Sequence, residues 1–127
     1  MAARFTLGKN ERLKSRKQIE ALFAAGQRMH VPNLRVTWLA RTIKENEWPI
    51  QFGVGVSTRF FKKAVDRNRI KRLIREAWRL QKNEFQEKLR EQKQHLDVFI
   101  IYTGKEIPSY QDITTQVGAV LKKIPAK

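Results

Sequence analysis

Residues 66–75 read DRNRIKRLIR, five cationic side chains in ten positions, interrupted by Ile70, Leu73 and Ile74. At 3.6 residues per turn those three share one side with Ala77 and Trp78, so the spacing predicts a helix over 64–82 with one packed face. Arg67, Lys71 and Arg75 follow at i, i+4 and i+8, flanked by Asn68, Arg72 and Arg79. These are expected to gather on the opposite wall. Like charges four residues apart cost a few tenths of a kcal/mol each, whereas burying one apolar side chain of the stripe contributes roughly 1.5–3 kcal/mol. Packing therefore wins, and the helix forms with its repulsion unrelieved. Glu76 can bridge to Arg72 or Arg79, but one carboxylate cannot neutralise the wall. Phosphates can, because a guanidinium fork suits two phosphate oxygens at once.

The rest of the composition supports an anionic partner. The chain has 127 residues, a length suited to one domain. Its formal charge is +15, well beyond the magnitude of roughly 2–8 that solubility asks of a small domain. Residues 59–82 hold ten Lys/Arg against Asp66 and Glu76, and residues 1–30 hold seven against two Glu. Two concentrated basic regions favour a binding surface over a general solubility device. With no cysteine, a disulfide framework and a thiolate metal site are both excluded. The opening MAARFTLGKNERLK lacks a signal-peptide core, and no apolar run approaches the ~20 residues of a membrane span. A cytoplasmic protein with no membrane partner is expected. Nucleic acid is the better polyanion, because the basic segment is poor in the Trp/Phe/Leu face that interfacial helices insert.

Along the chain, Ser15 and Gln18 have capping-box spacing, Ile19, Leu22 and Phe23 follow at helical spacing, and Gly26 supplies a stop. A short helix over 16–25 is predicted. NLRVTWLAR alternates Leu34, Val36 and Trp38 against Arg35, Thr37 and Leu39, and IQFGVGVS alternates Ile50, Phe52, Val54 and Val56 against Gln51, Gly53, Gly55 and Ser57. Both read as strands with one buried face, and a hairpin between them is expected. The two glycines leave one face shallow, open to close approach by a ligand or another chain. A further short strand is weakly signalled near 28–31. LDVFIIYTG is almost continuously apolar and reads as a central strand. Pro108 and Ser109 open a last helix with Asp112 at the capping-box position and a stripe of Ile113, Val117, Val120, Leu121 and Ile124.

The string RNRIKRLIRE, residues 67–76, resembles the arginine–asparagine–arginine signature of the bacterial ribonuclease P protein subunit. The likeness extends to the LKSRKQIEALFAAG helix, the FGVGVS strand before the basic helix and the LDVFIIYTG strand after it. The resemblance implies an α/β (α+β) two-layer sandwich, a roughly four-stranded mixed sheet packed against helices, as a single domain. It implies a left-handed βαβ crossover, which residue patterns alone would not predict, since about 98% of such crossovers are right-handed. It implies a protein cofactor of a catalytic RNA that removes the 5′ leader of precursor tRNA, with Mg²⁺ held by the RNA and none bound by the protein alone. Carried over by position, Arg67, Asn68, Arg69, Lys71, Arg72 and Arg75 would contact the catalytic RNA, with Arg79 continuing their wall and Arg59, Lys62 and Lys63 preceding it. The precursor-tRNA leader would lie against Phe23, Ile19 and Trp38, with Arg16 and Lys17 beside them. Ile19 stands where many members have a second Phe and has no π-face to stack a base.

No protein catalytic residue is expected. His30 and His95 lie far apart and are read as surface or strand-edge residues. The carboxylates are scattered without the context of a two-metal nuclease site, and the GVG sits inside a strand rather than in a phosphate-binding loop. No small-molecule substrate is expected. A ribosomal protein would share the size, charge and architecture and is the alternative reading. A DNA-binding regulator is a second rival, but the sequence has no two-helix reading unit and no dimer-forming heptads.

Overall fold

The computed structural model describes Leu13 and residues 16–44 and 49–124. The element order is α1 (Arg16–Ala25), β1 (Gln27–Val31), β2 (Leu34–Thr42), β3 (Ile50–Val56), α2 (Ala64–Glu91), β4 (Gln94–Tyr102) and α3 (Tyr110–Lys123). The four strands form one mixed sheet in the order β1-β2-β4-β3. β1 and β2 pair antiparallel across Pro32 and Asn33, and Asn33 takes φ 65°. Pro before a left-handed Asn suits a tight two-residue turn, because Pro fixes φ and Asn tolerates the left-handed region.

The expected hairpin between β2 and β3 does not form. β4 lies between them, antiparallel to β2 and parallel to β3. The reason is hydrophobic demand: β4 has the longest unbroken run of large apolar side chains, Val98–Tyr102, so the central place buries the most apolar surface. β3, α2 and β4 thus make a parallel crossover unit, with the basic helix as its connection.

Alternation divides the sheet faces as the sequence indicates. Leu34, Val36 and Trp38 of β2, Ile50 and Phe52 of β3, and Leu96, Val98, Ile100 and Tyr102 of β4 are buried toward α2 and α3. There Phe52 stacks on Trp78 at 4.4 Å between ring centroids, and Ile70, Ile74, Ala77, Ile113, Val117 and Val120 complete the core. α2 extends nine residues beyond the predicted 82. Phe85 and Leu89 continue its buried stripe, and α3 gives that stripe something to pack against: the Gln81 amide donates to the Thr114 carbonyl at 3.1 Å. Ser109 caps α3 as expected, its hydroxyl accepting from the Asp112 N–H at 3.1 Å.

α1 lies on the other face and covers part of it. Phe23 meets Phe99 of β4 edge to face at 5.3 Å, and the Gln18 amide donates to Gln51 of β3 at 3.2 Å. The Ser15 half of the expected capping box lies outside the described residues. Gly26 ends α1 through close approach rather than a left-handed φ, since a Cβ there would stand 3.0 Å from both the Leu22 side chain and the Trp38 carbonyl. His95 is a correction: it is fully buried on β4, 2.7 Å from the Asp97 carboxylate, whereas His30 is exposed on the edge strand β1. On the flanking strands Arg41 is the register partner of His95, and Leu39 and Gln51 are those of Asp97, a cross-strand environment that local sequence does not display.

Candidate nucleic-acid interface

Two surfaces carry the cations, and the loop over residues 57–63 joins them. The first is the outer wall of α2. Asn68, Arg69, Arg72 and Arg75 are exposed on it. Successive positions at 3.6 residues per turn put Asn68, Arg72, Arg75 and Arg79 in one lengthwise stripe, with Arg69 beside it. Arg79 is half-buried and ion-paired with Glu76, the one acid on that wall. Arg67 and Lys71 are placed differently from the expectation. Lys71 is half-buried on the flank, and Arg67 faces back toward the start of the helix. The Arg67 Nη1 donates to the Phe61 carbonyl at 2.9 Å and the Lys62 carbonyl at 2.7 Å. It therefore fixes the loop to the helix, because two charge-assisted bonds from one nitrogen hold both carbonyls in place.

The second surface is a groove on the sheet face that α1 only partly covers. One section, about 500 Å³, is lined by Phe23, Arg28, His30, Arg35, Thr37 and Ile101 among others. A second, about 610 Å³, is lined by Arg35, Gly55, Arg59, Phe60, Phe99 and Ile101 among others. Arg35 and Ile101 belong to both, so the sections adjoin along β2 and β4. The floor is shallow because of the two glycines. A Cβ on Gly53 would stand 2.7 Å from the Phe99 ring, and one on Gly55 would stand 3.2 Å from it. Phe99 thus occupies the trough that β3 leaves, with Phe23 against its edge.

Of the sequence-predicted leader contacts, Phe23 lies in this groove and Ile19 is half-buried on α1. Arg16 and Lys17 are exposed at the start of α1. Trp38 is corrected: it is 7% exposed and packs in the core on the opposite face, so the sheet itself separates it from the groove. Lys62 and Lys63 are exposed in the joining loop, and Arg59 lies at the groove rather than on the helix wall. The sequence reading missed Phe99, Phe60, Arg28 and Arg35. Phe99 was legible in principle, since alternation puts it opposite Val98 and level with the glycines; the continuous apolar run hid that period.

Among the described residues no group of three or more His, Cys, Asp or Glu side chains comes together to hold a metal ion, and no helix is long and apolar enough to cross a membrane. What the arrangement offers is positive charge beside aromatic surface, the combination that grips single-stranded nucleic acid.

Comparison with known proteins agrees with this architecture. The family described as Ribonuclease P matches residues 7–125. The ribonuclease P protein component of Porphyromonas gingivalis is 32% identical over 122 residues, covering 96% of this chain and 88% of that protein. That of Syntrophus aciditrophicus is 32% identical over 124 residues, covering 96% and 93%. Among solved structures, the ribonuclease P protein from Thermotoga maritima aligns with a TM-score of 0.70 at 23% identity, covering 91% of this chain and 98% of that one. That from Staphylococcus aureus aligns at 0.68 and 21% identity, covering 88% and 93%. The ribosomal alternative is not favoured by any of these likenesses. The chain belongs to the ribonuclease P protein family and is a protein component of that ribonucleoprotein enzyme.

Proposed function

We propose that this ribonuclease P protein component assists its RNA through position and charge, with the α2 wall on the catalytic RNA and the groove on the 5′ leader of precursor tRNA. The observation that carries the reading is the joining of an exposed arginine stripe to a glycine-floored aromatic groove through one short basic loop. Arg69, Arg72 and Arg75 neutralise phosphates of the folded RNA. Arg28 and Arg35 track the leader backbone while Phe23 and Phe99 offer ring surface to its bases. Stacking of this kind contributes ~1–3 kcal/mol per base and tolerates any sequence, which suits leaders that differ from one tRNA to the next.

In this reading the RNA carries the chemistry and holds the Mg²⁺, and the protein supplies no group to the reacting phosphate. Its cations lower the repulsion between two polyanions, so less Mg²⁺ is needed to hold them together. Only the precursor has a leader, so the groove favours substrate over product. The reading places the protein in the cytoplasm. The test is the affinity of the reconstituted ribonucleoprotein for precursor and for mature tRNA, compared with that of the RNA alone. Adding the protein should raise precursor affinity selectively. Equal gains for both tRNAs would remove the leader from the account.

A further inference from the structure

Phe60 is large, apolar and 40% exposed, an unfavourable placement for a ring that nothing in the fold requires to face water. Its neighbour Phe61 is buried and packs toward Tyr102, at 6.1 Å between centroids, so one aromatic already anchors the loop. Phe60 sits instead at the end of the groove section that also contains Phe99 and Gly55. Two cations attend it: the Arg59 guanidinium lies 5.4 Å from the ring centroid and the Lys105 ammonium 5.8 Å. Arg59 comes from the loop before α2, Lys105 from the segment after β4, so the cluster is assembled from two distant parts of the chain.

We propose that Phe60, Arg59 and Lys105 form a second single-strand stacking site, at the α2 end of the groove, which takes an unpaired base of the leader between the phosphates on either side of it. The inference rests on the leader reading above. A partner for this cluster must offer both a flat apolar face and negative charge. A duplex hides its base faces, and a second copy of a chain carrying +15 would bring like charge to like. An unpaired nucleotide meets both demands. On binding, the two cations exchange the ring quadrupole for phosphate oxygens, a stronger partner, and release a ring face to the base. The site lies beyond Arg35 and Ile101, which border both groove sections, from the Phe23 section, so a short leader that engages one end does not reach the other.

The experiment measures affinity of the holoenzyme for precursor tRNAs with a graded series of leader lengths, and for mature tRNA, using the natural chain and the variants Phe60→Ala, Phe60→Leu and Phe60→Tyr. Thermal unfolding of each variant confirms an intact fold, which the ring's exposure favours. The expected result is a step in affinity as the leader lengthens, reduced about 5- to 30-fold in Phe60→Ala, the lower part of the range for one base–aromatic stack because the cation contacts are given up. Phe60→Leu should lose as much and Phe60→Tyr should keep the step. A folded Phe60→Ala variant that retains the whole step, or a Leu variant that restores it, overturns the stacking site. If the natural protein shows leader discrimination in that case, the groove reading survives without this site. If the natural protein does not separate precursor from mature tRNA at any length, the groove reading itself fails.

Discussion

Gly53 and Phe99 constrain each other: the ring stands where a β-carbon on the neighbouring strand would be, and only glycine leaves it room. Gly53→Ala should therefore push Phe99 outward, narrow the groove and cost about 1–3 kcal/mol, as overpacking does; denaturant unfolding would read the loss. Trp38→Ala should cost more, about 3–5 kcal/mol, because that ring is fully packed in the core. Tyr102 gives the fold an alkaline limit. Burial raises its phenol above the usual value near 10, and the Asp112 and Glu106 carboxylates push the same way. Its hydroxyl also donates to the Glu106 carbonyl at 2.7 Å, a bond that requires the proton. A folded-state value above the unfolded one means this contribution is complete below about pH 10 and is lost as pH rises through the folded value. Tyr102→Phe should be less stable at neutral pH and should decline less steeply above pH 10, which stability curves across that range would check.

At the scale of the element, α2 has a packed side and a basic side that separate by helical position. Arg72→Ala and Arg75→Ala should leave the fold intact and each reduce the salt dependence of RNA binding by about one phosphate contact. Arg67→Ala should in addition lower the melting temperature, because Arg67 holds the loop carbonyls of Phe61 and Lys62. Both are read from salt titrations of binding set beside thermal unfolding. Much of this element was legible: the stripe of Ile70, Ile74, Ala77 and Trp78 is buried as the spacing requires. The inward turn of Arg67 was not, because a position near a helix end can bond to the preceding loop as readily as to solvent. The α1 and α3 helices were similarly legible from period and punctuation. The sheet order was not, since inserting β4 between β2 and β3 is a non-local choice made by competition for the most buried place. The groove followed the same pattern. Its glycine floor was visible in FGVGVS, but Phe99, Arg28 and Arg35 reach it from strands whose pairing local sequence does not reveal. Family likeness is the source of the role proposed for the basic wall, and geometry corrected Trp38.

For the whole molecule the balance is between a modest core and a charge of +15. Self-repulsion of that size works against the compact state, and any polyanion that binds the folded form offsets it. Sulfate or phosphate should raise the melting temperature more than chloride at equal ionic strength; equal effects would mean screening alone. RNA binding should weaken steeply with salt, with a log–log slope of about −4 for ~6 phosphate contacts on single-stranded RNA. The most direct measurement is cleavage of a 5′-extended precursor tRNA by a matched bacterial ribonuclease P RNA at limiting Mg²⁺, alone, with this protein, and with an Arg72→Ala/Arg75→Ala double variant. The account predicts that the natural protein restores cleavage, that it cleaves nothing without the RNA, and that the folded double variant restores much less. Cleavage by the protein alone, or full rescue by the double variant, would contradict it.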